Sequence, residues 1–314
     1  TITDNASSTT NGDITFTMTF SEAVSGFAAS DITVANGTAG TFTQTGEATY
    51  TLVVTPATNT AGNVTVDIAG AIATDAAGNS NTAATQATQA IDTAAPSAPT
   101  IASISTPDND NTPTISITAE TGSTVKVYSN GDLLGTATEG GDAGGGNSTF
   151  TLTPSAIADG NYSITATAAD TVGNASVEAT PQNIVIDTVK PGAPVVSSAS
   201  LTNDTTPVVS GTAEVGATIT AVIAGATYTT TATEGSWTIN TGSATPASGT
   251  LAVNANGTNS VSVTATDAAG NVSAAGTQTL TVDTTAPTVT ITDNASSTTN
   301  GDITFTMTFS EAVS

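Results

Sequence analysis

The chain has 314 residues and a net charge of −24, because 26 Asp and Glu face only Lys126 and Lys190 and there is no Arg. So acidic a surface repels polyanions and anionic membrane faces, which excludes nucleic-acid binding through phosphate neutralisation and suits solubility or divalent cations instead. The absence of His and Cys removes disulfides, thiolate nucleophiles, zinc and haem sites and histidine acid–base chemistry, and no apolar run approaches the ~18 residues that membrane insertion needs.

The chain begins at Thr1, without Met or a visible signal peptide, and reads as a processed or excised piece of something longer. Lack of cysteine is compatible with secretion. Residues 14–20 (ITFTMTF) alternate apolar residues with Thr, the period of a half-buried strand, so Phe16 and Phe20 read as core. Phe27–Ser30 could form one helical turn, and no other helix is expected. DAAGN at Asp75–Asn79 and the linker IDTAAP at 91–96 follow; the linker proline cannot continue a ladder. NDNTPTISITAETGS (109–123) opens the next stretch, and Asn130-Gly131 and Asp159-Gly160 are turn signals within it. The Gly-rich EGGDAGGGN (139–147) lacks the ending of a phosphate loop and reads as a hairpin tip. Phe150 reads as core, 162–168 (YSITATA) alternates, and DTVGN (Asp170–Asn174) and IDTVKP (186–191) repeat the earlier pair. NDTTPVVSGTAEVGA (203–217), core Trp237, Asn256-Gly257, alternating 260–266, DAAGN (Asp267–Asn271) and VDTTAP (282–287) complete a third round. N-x-[ST] triplets such as Asn36–Thr38 are expected by chance in so Asn- and Thr-rich a chain.

Two periods organise these elements. Residues 290–314 repeat residues 1–25 without a change, an offset of 289, as in a recently duplicated, longer parent chain. Within that span Asp92, Asp187 and Asp283 recur at intervals of 95 and 96, and Asp75, Asp170 and Asp267 at 95 and 97. A period of that size, with about seven strands and no helix, predicts an all-β fold of immunoglobulin-like β-sandwich modules arranged end to end. The boundaries are 1–93, 94–188 and 189–284, with 285–314 the first strands of a fourth module repeating the first.

The DTxxP linkers, the DxxGN turns and the two ND(N/T)TP openings resemble the bacterial Ig-like repeats of giant secreted cell-surface adhesins and biofilm proteins. The first module, with FSEAVSGFAASDITVANGTAG at 20–40, is similar to a related subtype. The resemblance implies an extracellular, cell-surface stalk braced by Ca²⁺, whose neighbours are further copies of the repeat, head to tail, and which holds a distal adhesive domain away from the cell.

In a seven-strand sandwich of this type the DxxGN turn, between the last two strands, faces the preceding module. Asp170 and Asn174 then face Asp92, Asp4 and Asp13; Asp267 and Asn271 face Asp187, Asp108 and Asp110, with Asp159 nearby. Carboxylates from three segments are expected to converge at each joint, where Ca²⁺ would relieve their repulsion and accept the irregular oxygen shell of flexible loops. Asp75 and Asp283 would find their partners in a preceding and a following copy. DxxGN is equally a good tight turn, with Asp bonding its own backbone and Gly accepting positive φ, and both readings stand at this point.

An enzyme is not expected, because the acids repeat with the modules whereas an active site is normally unique. Two alternatives to a plain shaft follow from the same features. One is a filament whose subunits assemble head to tail by strand exchange, with a neighbouring chain completing the fourth module rather than the continuing chain. The other is a module face that recognises a glycan or ice, which needs an exposed aromatic cluster or a flat, regular Thr array.

Overall fold

Alternating Thr and apolar residues leave each strand one face to bury, and the chain buries these faces by pairing sheets. The computed structural model describes residues 1–298 and 300–313; Thr299 and Ser314, both in the segment expected to begin a fourth module, lie outside the described residues. Backbone contacts divide the chain into two compact units, Thr1–Thr106 with Asp110–Ile186, and Pro107–Asn109 with Asp187–Ser314.

The first unit opens with β1 (Ile2–Asp4), β2 (Ile14–Thr19), β3 (Ile32–Ala35), β4 (Gly37–Gln44), β5 (Thr49–Pro56), β6 (Ala61–Ile68) and β7 (Ala87–Asp92). They form two sheets, β1-β2-β5-β4 and β3-β6-β7. Antiparallel register places Phe16 opposite Leu52 and Met18 opposite Tyr50, and all four side chains are buried, each contributing on the order of 1.5–3 kcal/mol by leaving water. Phe20 departs from the core expectation: it is half-buried and packs edge-on against Phe27 and Tyr50, with ring centroids 5.0 and 5.9 Å apart. The one helical turn among the described residues is a 3-10 turn at Ala29–Asp31 rather than 27–30, closed where Asp31 Oδ2 accepts the Ala28 N–H at 2.8 Å.

The same unit continues with β8 (Thr100–Ile101), β9 (Ile115–Glu120), β10 (Thr124–Ser129), β11 (Asp132–Thr136), β12 (Thr138–Gly144), β13 (Asn147–Leu152), β14 (Gly160–Ala169) and β15 (Gln182–Ile186). Sheets β11-β10-β14-β15 and β12-β13-β9-β8 enclose a second core around Phe150, Ile117, Ile164 and Ile184. The Gly-rich stretch is the β12–β13 hairpin tip, where Gly145 and Gly146 take φ of +65° and +82°, a region only glycine enters freely.

The second unit holds β16 (Val195–Val196), β17 (Leu201–Thr202), β18 (Val208–Thr212), β19 (Thr218–Ile223), β20 (Ala226–Thr231), β21 (Ser236–Asn240), β22 (Asn256–Thr266) and β23 (Gly276–Asp283). Its sheets run β16-β18-β21 and β17-β23-β22-β19-β20 around a core that includes buried Trp237 and Tyr228. Gly211 admits Trp237: a Cβ there would lie 2.7 Å from the indole Cζ2 and 1.9 Å from the Val195 carbonyl.

The unit ends in the hairpin β24 (Val289–Asp293) and β25 (Phe305–Phe309). Ile291 pairs Met307 as Ile2 pairs Met18. Yet Phe305 is 60% and Met307 63% exposed, against 0% and 1% for their first-module copies Phe16 and Met18. Identical strands in identical register are dry where β5 and the sheet β3-β6-β7 cover them, and wet in this hairpin, which has no such cover among the described residues.

Candidate functional site

Each DxxGN motif connects two strands and is built around its own aspartate. After β14 ends at Ala169, Asp170 Oδ1 accepts the N–H groups of Val172 (2.8 Å), Gly173 (2.7 Å) and Asn174 (2.9 Å). Gly173 takes φ +99° to allow this wrap. Asn174 Nδ2 donates to Asp170 Oδ2 at 2.7 Å, and the Asp170 N–H donates back to the Asn174 carbonyl at 3.1 Å. Burial is the largest single influence on the Asp170 carboxyl and raises its pKa, but hydrogen bonds from the Asn174 side chain and three backbone N–H groups together lower it. Asp267 shows the same balance with Asn271. In half-buried Asp75 the Asn79 side chain is the leading cause of a lowered pKa, followed by the Asn79 backbone N–H.

The DTxxP linker is shaped by a matching device. Asp92 Oδ1 accepts the Ala94 N–H at 3.0 Å, Asp187 Oδ1 the Val189 N–H at 3.0 Å and Asp283 Oδ1 the Thr285 N–H at 2.9 Å. Each is an Asx turn, and it directs the aspartate side chain along the linker.

The linker backbone is gripped from both sides. The Asp92 N–H donates to the Thr10 carbonyl at 3.0 Å, and its carbonyl accepts Asn174 Nδ2 from the second module's turn at 2.9 Å. In the second unit the Asp187 N–H donates to the Asp108 carbonyl at 2.9 Å, and its carbonyl accepts Asn271 Nδ2 at 2.7 Å. The residue after each of those carbonyls also reaches the turn. Asn11 Nδ2 donates to Asn174 Oδ1 at 3.1 Å and to the Val172 carbonyl at 3.3 Å. Asn109 Nδ2 lies 3.4 Å from where a Cβ on Gly270 would sit. Burial of the motif asparagine follows: Asn79 is exposed, Asn174 half-buried and Asn271 buried.

The structure thus brings Asp92, Asp170 and Asn174 together, and likewise Asp187, Asp267 and Asn271, but through the linker carbonyl rather than the linker carboxylate. Asp4 turns onto the Ala6 N–H at 2.9 Å, and Asp13 accepts the Thr55 hydroxyl at 2.7 Å. Asp108 contributes its backbone carbonyl. Asp110, in the first unit, accepts the Thr112 N–H and hydroxyl, both at 2.8 Å. Asp75 bonds Asn79, and Asp283 its own linker turn. Among the described residues no group of three or more acidic side chains is placed to hold a metal ion. The expected convergence of carboxylates from three segments is therefore not formed among them. Its physical reason is local: most of these carboxylates are already engaged by a donor two to four residues on, and Asp13 by the Thr55 hydroxyl.

Asn11 and Asn109 were absent from the candidate residues. Their signal is positional, since each stands in the stretch before the second strand at the place where a side chain can reach the next DxxGN turn.

Profiles of the bacterial Ig-like domain match residues 1–91 in one subtype and 103–188 and 195–284 in another. No curated protein matches the chain in sequence. Among solved structures, a tetra-tandem repeat in the extending region of a large adhesion protein is 20% identical, with 98% of this chain and 87% of that chain covered and a TM-score of 0.32. The fibronectin(III)-like modules of Clostridium thermocellum CbhA are 16% identical over 59% of this chain and 95% of that one, at a TM-score of 0.35. A three-domain I-band fragment of titin is 11% identical over 90% and 98%, at 0.36. With profile matches over most of its length, the chain belongs to the bacterial Ig-like domain family, as tandem copies of that sandwich.

Proposed function

We propose that this chain is a stretch of the repetitive stalk of a secreted bacterial surface adhesin, whose work is to space and stiffen rather than to catalyse. The observation that carries the reading is the two-sided grip on the linker peptide: Thr10 and Asn174 hold Asp92, and Asp108 and Asn271 hold Asp187. A free hinge would leave that peptide to solvent. Further copies of the repeat, head to tail, are the natural partners of such a device.

Calcium at the joints is part of the proposal. Asn174 Nδ2 sits 2.7 Å from Asp170 Oδ2 and 2.9 Å from the Asp92 carbonyl, between two hard oxygens. A carboxamide turned over would present Oδ1 to these two acceptors and give up the bond from Asn11, an orientation that only a bound cation would favour. Asp170, the Asp92 carbonyl and Asn174 Oδ1 would then be the protein ligands, with Asp267, Asp187 and Asn271 their counterparts; water would complete the 6–8 oxygens that Ca²⁺ takes. Bound there, the ion would tie linker to turn more tightly than the amide bond does. Melting and X-ray scattering of the chain with Ca²⁺ and with chelator test this. A rise in melting temperature with Ca²⁺ is expected, and identical curves and scattering lengths in both would remove calcium from the account.

A second reading, recognition of a glycan or ice by a sheet face, is favoured by one feature. Thr3, Thr17, Thr51 and Thr43 are successive partners across all four strands of one sheet, and Thr229, Thr220 and Thr264 form a similar row in the third module. Thr is also a common strand residue whose cross-strand pairs stabilise a sheet by themselves. Ice affinity and glycan-array binding of the chain, compared with Thr17→Val and Thr51→Val, decide between them.

A further inference from the structure

We propose that Asn11 is a site of spontaneous deamidation, and that its conversion to aspartate or isoaspartate releases the first module's hold on the DTVGN turn. The chain contains five Asn-Gly pairs, at Asn11, Asn36, Asn130, Asn256 and Asn300. Glycine after asparagine removes the side chain that would otherwise obstruct ring closure. Closure also needs the asparagine Cγ to swing over the next backbone nitrogen, so the local fold decides which pair reacts.

Three pairs are held against it. Asn36 and Asn130 sit at φ +57° and +51°. Asn36 Nδ2 donates to the Asn63 carbonyl at 2.8 Å, and Asn130 Oδ1 accepts the Ser163 N–H at 2.9 Å. Asn256 Oδ1 accepts the Thr284 N–H at 2.9 Å and two hydroxyls at 3.0 Å. Asn11 and Gly12 form an exposed bend ahead of β2, and the two bonds of Asn11 Nδ2, at 3.1 and 3.3 Å, are longer than these bonds of 2.8 to 3.0 Å that hold the other three. The Gly12 N–H has only a 3.2 Å bond to the Thr10 hydroxyl. The space around Gly12 is open, the nearest atom to an added Cβ being Thr10 Oγ1 at 4.0 Å.

The reaction needs only water and mild base. The deprotonated Gly12 nitrogen attacks Asn11 Cγ, the bond from Cγ to Nδ2 breaks, and ammonia leaves a five-membered succinimide. Water then adds to either imide carbonyl and breaks one imide C–N bond, giving aspartate or isoaspartate with no change of oxidation state. The product is a carboxylate facing the Val172 carbonyl and Asn174 Oδ1, the two acceptors that Asn11 Nδ2 had served. It has no proton to offer them, so both bonds are lost. At the other joint Asn109 precedes Asp110, and the same chemistry is disfavoured. The joint after the first module of each 289-residue repeat therefore ages, and the joint after the second does not.

The test uses the full chain in mildly alkaline buffer with chelator, so that no bound cation masks the effect. Cleavage after Lys126 puts Asn11 and Asn300, whose flanking sequences are identical, on separate fragments for mass spectrometry. A mass gain of about one dalton is expected at Asn11 ahead of Asn36, Asn109, Asn130 and Asn256, and Gly12→Ala, for which there is room, abolishes it. In Asn11→Asp, amide exchange at Asp92 and Asn174 accelerates about fivefold, the factor one ordinary hydrogen bond represents. A mass gain at Asn11 no faster than at Asn130 or Asn256 would overturn the site. Exchange in Asn11→Asp equal to that in Gly12→Ala would overturn its effect on the joint.

Discussion

Asn174 Nδ2 stands 2.9 Å from the Asp92 carbonyl, and its other contact is Asp170 Oδ2 at 2.7 Å. One carboxamide therefore closes a turn within the second module and at the same time fastens that module to the linker before it. Asn271 does the same with Asp267 and Asp187, so the device is repeated along with the sequence motif.

Asn174→Ala removes both bonds, and the expected cost is about 2 kcal/mol in the transition of the second module. Asn79→Ala removes the equivalent turn bond to Asp75 at an exposed site, and about 1 kcal/mol is expected. Calorimetry of the two variants isolates the linker bond as the difference; equal losses would mean that it contributes nothing.

The lowered pKa values of Asp75, Asp170 and Asp267 carry a defined pH dependence. A carboxyl whose folded pKa lies below its unfolded value near ~3.9 binds its proton more readily unfolded. Its stabilising contribution is complete above that unfolded pKa and is lost as pH falls through the lower, folded one. The melting temperature should hold level from about pH 5 to 8, since the chain has no His to titrate there. Melting scans against pH for the wild type and Asp170→Asn should show a gap that closes below about pH 4; a gap independent of pH would contradict the assignment.

Gly211→Ala should drive Trp237 from its site or detach β16 from β18. The added Cβ would lie 1.9 Å from the Val195 carbonyl and 2.7 Å from the ring, and overpacking of this kind costs about 1–3 kcal/mol. Trp237 is the one tryptophan in the chain, so its emission reports the third module alone. An unshifted spectrum and midpoint would show that the sheet absorbs the methyl group.

Phe16→Ala and Phe305→Ala make the same change in identical sequence with opposite expected outcomes. The buried copy should lose about 3–5 kcal/mol, and the exposed one within about 0.5 kcal/mol. Chemical denaturation reads both, and similar losses would mean that the β24–β25 face is covered in solution.

Much of this architecture could be read from residue patterns. Alternation over 14–20, 162–168 and 260–266 marks β2, β14 and β22, because a two-residue period has no other efficient way to bury one face. The DxxGN turns and the hairpin tip at 139–147 were legible for a related reason, since Gly at positive φ and Asp over its own backbone are local devices. The joint was legible only in part. Spacing brought Asp92 to Asn174 and Asp187 to Asn271, but the atom used on the linker is a backbone carbonyl, which every residue has and no sequence pattern marks. Asp4 and Asp13 illustrate the other difficulty. A carboxylate near a joint in sequence can be taken up by a donor in its own module, here the Ala6 N–H and the Thr55 hydroxyl. Phe20 went from expected core to half-buried aromatic edge because β2 ends at Thr19, one residue before its alternation does.

We expect the linker grip to hold the first two modules as one body in solution. Residual dipolar couplings measured for residues of both modules in the intact chain test it directly. A single alignment tensor should fit both modules in the wild type and split into two when Asn174 and Asn11 are both replaced by Ala. Separate tensors in the wild type would mean that the joint is a hinge, and the account of a stiffened stalk would fail.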